Sequence, residues 1–340
     1  MSYLKVLVAG STGYIGIQLI KLLIKHKNVK IQYLCGNASI GKKISDFDVS
    51  FKNKNLPRIV KFNKNFLKNV DIVFTALPNG EAQDISKNLL DNNTLIDLAA
   101  DFRLEKASDY SKWYKQKHRA IDKINDSIYA LPEITGKKIK NYKIISCPGC
   151  YPTSILIPLI PLIKKKLINL QSLVVDSKSG YSGAGKGIHK KYKKKNLYES
   201  LSAYGVGFHR HNSEIEQMIS KYTNKKFKFL FTPHLSPMFR GILSTIYIDL
   251  SKNISLKKIH SELKNYYKNS YFIKINKLNS MLSTNDVINT NFCNISICSS
   301  KYTNKIIILC SIDNLIKGGA GQAIQNMNIL KNFNIKQGLI

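Results

Sequence analysis

Over the first 150 residues, short and continuous apolar runs alternate with amphipathic segments. The apolar runs predict strands at 5–10, 30–36, 71–78, 94–100 and 143–147. The amphipathic segments predict helices at 14–26 and 81–91. Continuous apolar strands between helices are typical of a parallel sheet covered on both faces. In such sheets ligands bind beyond the carboxyl ends of the strands, so the residues that follow each run are the first candidates for a site.

The pattern changes to alternating apolar and polar positions from about residue 151. Strands of this kind are predicted at 172–180, 226–235, 241–250, 291–300 and 305–313. Alternation is typical of antiparallel strands with one covered face. The lysine-rich run at 189–196 predicts an exposed loop, and the glycine-rich stretch at 318–330 predicts a turn followed by a helix.

These patterns predict an α/β protein of two domains. The first, 1–150, is expected to be a Rossmann-type, doubly wound parallel sheet, joined by a C-terminal helix over 314–340. The second, 151–313, is expected to be an α+β domain with a mostly antiparallel sheet.

The composition changes this picture little, apart from its charge. With 44% hydrophobic and 22% charged residues, the chain is not collagen-like, disulfide-scaffolded or wholly disordered. Its 53 Lys and Arg against 21 Asp and Glu give a net charge of +32, which by itself suggests a polyanionic partner. Only five of these cations are Arg, however, and the lysines are spread over the whole chain. Because a nucleic-acid interface clusters its charge and favours Arg, we interpret most of the charge as solvated background.

Targeting and metal-binding signals are weak. No apolar run reaches the roughly 18 residues that a membrane span needs. The apolar N-terminal run leads into a glycine turn and not into a signal-peptide cleavage site. The six cysteines lack the paired spacing of a zinc site. We therefore expect no metal, no nucleic-acid or membrane partner, and a cytoplasmic protein with reduced thiols.

The sequence GSTGYIG at 10–16 follows a predicted strand and opens a helix. Gly10 permits the tight turn, Gly13 lets the backbone approach a pyrophosphate, and Gly16 allows close packing of helix on strand. The N–H groups at the start of the helix then favour phosphate. The predicted dinucleotide-binding residues here are Gly10, Ser11, Thr12, Gly13, Tyr14, Ile15 and Gly16.

The end of the second predicted strand indicates which dinucleotide binds. NAD-binding chains place Asp or Glu there to hold the ribose 2′-hydroxyl. The segment 35–43 has no carboxylate, but it has the small polar residues Asn37 and Ser39, followed by Lys42 and Lys43. A 2′-phosphate would be attracted, so NADP(H) is predicted, unless these lysines belong to the background.

Cys150 follows a Pro-Gly turn at the end of a predicted strand, with a helix expected from about Thr153. A helix N-terminus stabilises a thiolate, which makes Cys150 a candidate nucleophile. The alternative is an inert core cysteine. A partner base is available at His209 or His211, although each could be a satisfied core residue. Arg240, one of the few arginines, suggests a bidentate contact to an oxyanion.

Several motifs carry a resemblance to a known family. They are GSTGYIG (10–16), CPGCYPT (147–153), SKSGYSGAGKG (177–187), HRHNSEI (209–215) and DNLIKGGAGQAIQN (313–326). Together they resemble the N-acetyl-γ-glutamyl-phosphate reductases of arginine biosynthesis, in the aspartate-semialdehyde-dehydrogenase-like group. The match runs nearly end to end. Among its departures, Cys147 stands where the family usually has Asn, and Ser213 where it usually has Pro.

The resemblance implies reduction of an acyl phosphate by NADPH through a thioester on Cys150. It implies an acid/base histidine, assigned to His211 with His209 in reserve. The residues implied for substrate are Arg103, Arg240 and Glu214. Further residues implied near the cofactor are Ser182, Gly183, Asn314 and Gly318. A homo-oligomer, dimer or tetramer, is expected.

Two alternatives remain open from the sequence. A related enzyme would reduce a glutamyl or aminoadipyl phosphate bound to an acidic carrier protein, which would give the +32 charge a role. A different class would be a non-catalytic dinucleotide sensor or nucleic-acid-binding protein built on the same fold.

Overall fold

The computed structural model describes residues 3–187, 199–302 and 304–340, so the predicted loop at 189–196 lies outside the described residues. The chain forms two compact units, the first comprising Met1–Pro148 and Gly319–Ile340 and the second Gly149–Gly318. The boundaries predicted from sequence differ from these by a few residues. Gly149, Cys150 and the segment 314–318 belong to the second unit.

The first unit is built on a seven-stranded, fully parallel sheet. Its strands are β1 Leu4–Ala9, β2 Val29–Cys35, β3 Ile59–Val60, β4 Ile72–Thr75, β5 Thr94–Asp97, β6 Ser127–Tyr129 and β7 Ile144–Ser146. They lie in the order β3-β2-β1-β4-β5-β7-β6, so the chain winds outward from β1 in both directions. The predicted doubly wound parallel sheet is confirmed. The short edge strands β3 and β6 carry too few apolar residues to be predicted.

The α-helices of the described residues, in chain order, are α1 Tyr14–Leu23, α2 Glu81–Ser86, α3 Ala107–Tyr114, α4 Pro132–Thr135, α5 Cys150–Lys164, α6 His211–Thr223, α7 Leu256–Tyr266 and α8 Gly321–Leu330. The helices predicted at 14–26 and 81–91 are present but end earlier. The C-terminal helix predicted over 314–340 was too long: a π-helical turn, Ile316–Ala320, precedes α8, and the chain leaves the helix after Leu330.

The second unit contains a seven-stranded mixed sheet. Its strands are β8 Ile168–Gly180, β9 Ser202–Ala203, β10 Leu230–Ser236, β11 Ile242–Leu250, β12 Ile273–Ile275, β13 Cys293–Ser299 and β14 Lys305–Ile312. Their order is β12-β13-β14-β11-β8-β10-β9. Among the strand pairs that the structure describes here, only β8–β10 and β12–β13 are parallel, which confirms a mostly antiparallel sheet.

Helix α5 is apolar along most of its length and packs on the central strands of this sheet. Pro158 and Pro161 lie inside it, although prolines usually interrupt a helix because they lack an N–H. Pro161 leaves the carbonyl of Ile157, four residues earlier, without its helical donor. The hydroxyl of Tyr267 donates to this carbonyl at 2.6 Å. The helix therefore continues through Pro161, although proline usually breaks a helix.

Candidate active site

The glycine loop of the first unit has the close contacts that its sequence predicted. Gly10 has a φ of +82°, and a Cβ there would lie 2.2 Å from the carbonyl oxygen of Ala76. A Cβ on Gly16 would lie 2.1 Å from the carbonyl oxygen of Gly10. A Cβ on Gly13 would meet nothing closer than 3.6 Å. The loop is thus tightly packed on the sheet side and open at Gly13, where a ligand can approach.

Helix α1 begins directly after Gly13, and no side chain caps its N-terminus. Its first N–H groups are therefore oriented to bind an anion. The hydroxyl of Ser11 donates instead to the carbonyl of Cys35, at 3.0 Å, and joins the loop to the end of β2. Ser11 is fully buried and acts within the protein. These features fit the pyrophosphate of a dinucleotide.

The residues beyond β2 fit a 2′-phosphate. Asn37 is exposed and Ser39 is buried, and the exposed Lys42 and Lys43 follow. Arg58, which the sequence analysis did not select, lies beside this segment because its Nη1 donates to the carbonyl of Gly41 at 2.8 Å. A lone arginine in a polar stretch gave no signal in the sequence. Its position adds a bidentate donor to the cationic end of β2.

Arg103 lies in the first unit and is largely buried. Its Nε donates to the carbonyl of Cys147 at 2.9 Å, and its Nη2 donates to the carbonyl of Leu98 at 3.0 Å. These contacts join the segments that follow β5 and β7. The structure thus gives Arg103 a role within the protein, whereas the resemblance implied a substrate contact.

Asp97, at the end of β5, is another buried polar residue of the first unit. Its Oδ1 accepts from the hydroxyl of Thr75 at 2.6 Å and from the N–H of Ala99 at 3.0 Å. Its Oδ2 has no partner among the described residues. Burial, and then the charge of Asp101, raise the pKa of Asp97 to about 7.

Cys150 is the first residue of helix α5, three residues earlier than predicted, and it is partly exposed. Gly149 precedes the helix and no side chain caps it. A thiolate at this position faces the positive end of a helix of 15 residues. Gly318, the last residue of the second unit, packs against this cysteine. A Cβ on Gly318 would lie 2.7 Å from the Cβ of Cys150. Its role in the structure is therefore close packing against the nucleophile.

His211 is the first residue of helix α6 and is buried. Its Nε2 lies so close to the backbone before the cysteine that a Cβ on Gly149 would be 2.4 Å from it. Glu214, one turn along the same helix, is fully buried. Its Oε2 accepts the N–H of Gly149 at 2.9 Å, and its Oε1 lies 3.8 Å from Nε2 of His211.

Glu214 was expected from the resemblance to contact substrate. The structure directs its carboxylate to Gly149 and His211 instead. A buried carboxylate beside an imidazole orients the ring and stabilises its protonated form. The second unit thus has a thiol and a histidine that line one pocket, with a buried carboxylate beside the histidine, and these are the groups that nucleophilic catalysis uses.

His209 occupies a different environment from His211. Its Nδ1 accepts the backbone N–H of His211 at 3.2 Å. Burial, and then the charge of Arg210, lower the pKa of His209 to about 4. Aromatic rings surround it in edge-to-face contacts, with centroid distances of 5.6 Å to Tyr151 and 5.3 Å to Tyr204.

A pocket of about 290 Å³ in the second unit brings several of the predicted residues together. Its lining residues are Cys150, Tyr151, Ser179, Gly183, Ala184, Tyr204, Gly205, Phe208, His209, Arg210 and His211. Sequence reasoning missed the aromatic residues in this set. Tyr151 could have been suspected from its position next to Cys150, but Tyr204 and Phe208 come from a loop with no periodic pattern.

Ser182 and Asn314, expected near the cofactor, lie behind the pocket wall. The amide of Asn314 donates to the hydroxyl of Ser182 at 2.9 Å, and its oxygen accepts the N–H of Gly241 at 2.7 Å. Both residues are almost completely buried. The pair fixes the loop that carries Gly183, which does line the pocket.

Arg240 is not among the described residues that line the pocket. Its Nη1 lies 3.2 Å from the buried carboxylate of Asp313 and also donates to Asn289. This guanidinium is therefore held by a buried anion.

Within the described part of the chain, no group of three or more His, Cys, Asp or Glu side chains is placed to hold a metal ion. In the same part, no helix is long and apolar enough to cross a membrane.

Comparison with known proteins assigns a family to both units. Residues 5–142 match the model "Semialdehyde dehydrogenase, NAD binding domain", and residues 150–314 match "Semialdehyde dehydrogenase, dimerisation domain". An N-acetyl-gamma-glutamyl-phosphate reductase of Clostridium beijerinckii is 41% identical over 98% of this chain and 97% of its own length. The one from Brachyspira hyodysenteriae is 40% identical over 99% of this chain and 98% of its own length.

A solved structure shows the same fold at low sequence identity. Aspartate semialdehyde dehydrogenase with NADP from Candida albicans superimposes with a TM-score of 0.70 over 98% of this chain and 100% of its own, at 20% identity. The enzyme from Vibrio cholerae has the same TM-score at 16% identity, over 98% of this chain and 99% of its own. These likenesses support the fold alone.

Proposed function

This chain belongs to the N-acetyl-gamma-glutamyl-phosphate reductases of the semialdehyde dehydrogenase family, and we propose that it reduces N-acetyl-γ-glutamyl 5-phosphate to N-acetylglutamate 5-semialdehyde with release of phosphate. The reductant is NADPH, and the reaction is a step of arginine biosynthesis. The observation that carries the proposal is the contact of Glu214 with both the turn before Cys150 and the imidazole of His211.

The nucleophile is Cys150. His211 accepts the thiol proton, and the thiolate attacks the acyl carbon. The bond from that carbon to the phosphate oxygen breaks, so that inorganic phosphate leaves and a thioester remains on the sulfur. NADPH, when bound, supplies a hydride for the thioester carbon. His211 then donates its proton to the resulting oxyanion and takes this proton back as the carbon–sulfur bond breaks, so that the aldehyde leaves and the thiolate is regenerated.

Glu214 is a positioning residue in this mechanism. Its carboxylate holds the imidazole of His211 in place and stabilises the imidazolium between the two proton transfers. The same carboxylate anchors the backbone of Gly149 and therefore the start of α5. One side chain thus fixes the spacing of the nucleophile and the base.

The cofactor assignment rests on residues of the first unit. The glycine loop and the N-terminus of α1 would hold the pyrophosphate. Asn37, Ser39, Lys42, Lys43 and Arg58 would accept the adenosine ribose and its 2′-phosphate, since no carboxylate in 35–43 would repel it. NADP(H) is therefore favoured over NAD(H).

The test is the reverse reaction. Purified protein is mixed with N-acetylglutamate semialdehyde, phosphate and NADP, with NAD as comparator, and reduction of the nucleotide is followed. Wild-type enzyme should reduce NADP, and Cys150→Ala should be inactive. A Cys150→Ala variant with wild-type activity would overturn the mechanism. Activity only in the forward direction, with a carrier-bound acyl phosphate, would instead identify the carrier-dependent relative.

A second copy of the chain is the proposed partner. The face of the second sheet away from α5 carries half-buried apolar side chains at Leu243, Tyr247, Ile307 and Leu309. An apolar sheet face of this kind favours burial against another protein surface. We expect a homodimer through this face, and light scattering would distinguish it from a tetramer.

A cytoplasmic location stays a prediction; the relative from Arabidopsis thaliana is described as chloroplastic.

A further inference from the structure

The hydrogen bond between His209 and the backbone fixes which nitrogen of its ring carries the proton. A backbone N–H can only donate, so Nδ1 of His209 must accept the bond from His211 as an unprotonated nitrogen. The neutral ring then has its hydrogen on Nε2. Protonation of Nδ1 would break this bond and place two N–H groups against each other.

The surroundings of His209 also disfavour the charged ring. The side chain is enclosed by Tyr151 of α5, Tyr204 of the preceding loop and Phe231 of β10, and it touches the ring of His211. None of these neighbours carries a negative charge at neutral pH, and Arg210 is adjacent. The pKa of His209 is accordingly lowered to about 4, mainly by burial. At neutral pH His209 is an uncharged hydrogen-bond donor.

The donor nitrogen has no partner within the described residues. Nδ1 bonds to His211, and neither ring nitrogen makes another hydrogen bond to the described part of the protein. The ring lines the same pocket as Cys150 and His211. His209 is only partly buried, so a molecule in the pocket can reach it.

We propose that the Nε2–H of His209 donates a hydrogen bond to the acyl oxygen of the substrate and stabilises the oxyanion that forms there. This inference rests on the proposed function, and it assigns different roles to two neighbouring histidines. His211 transfers protons, whereas His209 keeps its proton throughout. An oriented neutral donor stabilises developing negative charge without reorganising, and loss of one such donor lowers kcat about 10²–10³-fold.

The first test uses no substrate. The imidazole nitrogens of the full-length protein are labelled with ¹⁵N, and the His209 signals are assigned by their loss in His209→Gln. We expect the Nε2–H form and no titration between about pH 5 and pH 8, the range in which ordinary histidines change charge. A ring protonated at Nδ1, or one that titrates in this range, would overturn the proposal whatever the substrate is.

The second test compares His209→Leu, which has no donor, with His209→Gln, whose amide N–H can replace the Nε2–H. We expect kcat to fall about 10²–10³-fold in His209→Leu and to recover by about tenfold in His209→Gln. Both variants should keep the acidic and basic limbs of the wild-type profile of kcat against pH, whereas His211→Gln should lose one of these limbs.

The outcomes separate the two proposals. Equal kcat values for the Leu and Gln variants would show that His209 acts only as packing, and a displaced pH limb would show that it transfers protons; either result overturns this inference. A wild-type enzyme without activity on N-acetyl-γ-glutamyl phosphate would refute the proposed function instead, and the NMR result would still decide the protonation of His209.

Discussion

The carboxylate of Glu214 accepts the backbone N–H of Gly149 at 2.9 Å, which links the residue before the nucleophile to the helix that begins with His211. This contact is not visible in the sequence, because 65 residues separate the two partners. The relationship means that the geometry of the cysteine and the histidine is set by one buried anion. Changes at either partner should therefore affect catalysis more than folding.

Glu214→Gln tests the charge of this anion. The amide oxygen can still accept the N–H of Gly149, but it cannot stabilise a protonated His211. We expect kcat to fall about 10²-fold, with little change in KM for NADPH. Steady-state kinetics would measure this, with Glu216→Gln on the same helix as the control. Equal kcat values for the two variants would contradict the role of Glu214.

Gly149→Ala tests the close approach of His211. The backbone of Gly149 has a φ of −64°, which alanine adopts readily, so the fold should persist. The new Cβ would lie 2.4 Å from Nε2 and must displace the imidazole. We expect a loss in kcat of about 10²-fold with an almost unchanged Tm. Gly187→Ala is the matched control, since a Cβ there meets nothing within 4 Å. A fully active Gly149→Ala variant would show that His211 is not held as described.

Asp97→Asn tests the buried carboxyl group of the first unit. The pKa of Asp97 is raised to about 7 in the folded protein, by burial first, and is about 3.9 when unfolded. Between these values the folded state binds more protons, so the free energy of unfolding falls as the pH rises from about 4 to about 7. The Asn variant cannot titrate and should become more stable relative to wild type over this range.

Urea unfolding at both ends of this pH range would measure the difference for Asp97→Asn. The exposed Asp91→Asn serves as the control. A stability difference between wild type and Asp97→Asn that does not change with pH would show that Asp97 is ionised in the folded protein at low pH as well.

Arg58→Ala tests the preference for NADPH. Removing a charged donor beside Gly41 should raise KM for NADPH about tenfold and leave KM for NADH nearly unchanged, because NADH has no 2′-phosphate. The exposed Lys54→Ala is a control for net charge. If KM rises equally for both nucleotides, Arg58 does not contact the 2′-phosphate.

Tyr267→Phe tests the hydroxyl that bonds to the carbonyl of Ile157 inside α5. The variant keeps the ring and leaves a buried carbonyl unpaired, so the free energy of unfolding should fall by about 1–3 kcal/mol. Denaturant unfolding would measure it. Tyr266→Phe is the neighbouring control, because the Tyr266 hydroxyl bonds only to the exposed Lys164 among the described contacts. Equal stabilities would show that the helix does not need this bond.

The fold was predictable to the extent that it depends on local patterns. Continuous apolar runs indicated the parallel sheet, and alternation indicated the antiparallel one, because burial on two faces or one face determines which positions are apolar. Helix ends were less accurate. The continuation of α5 through Pro161 depends on the distant residue Tyr267.

The candidate site was predictable where a motif carries its own chemistry. Cys150 and His211 belong to such motifs, and both line one pocket. The roles of Glu214, Arg103 and Asn314 could not be read from their residue types, since a buried carboxylate, guanidinium or amide is defined by its partners. Arg58 gave no signal because its position depends on a contact 17 residues away.

Pro161, inside α5, has an evolutionary consequence. With Pro161 present, the carbonyl of Ile157 needs the hydroxyl of Tyr267, whereas any other residue at 161 would supply its own N–H. Loss of the tyrosine alone should therefore be selected against, but loss of both residues together should be tolerated. Positions 161 and 267 are expected to covary among relatives, although 106 positions separate them in the printed sequence.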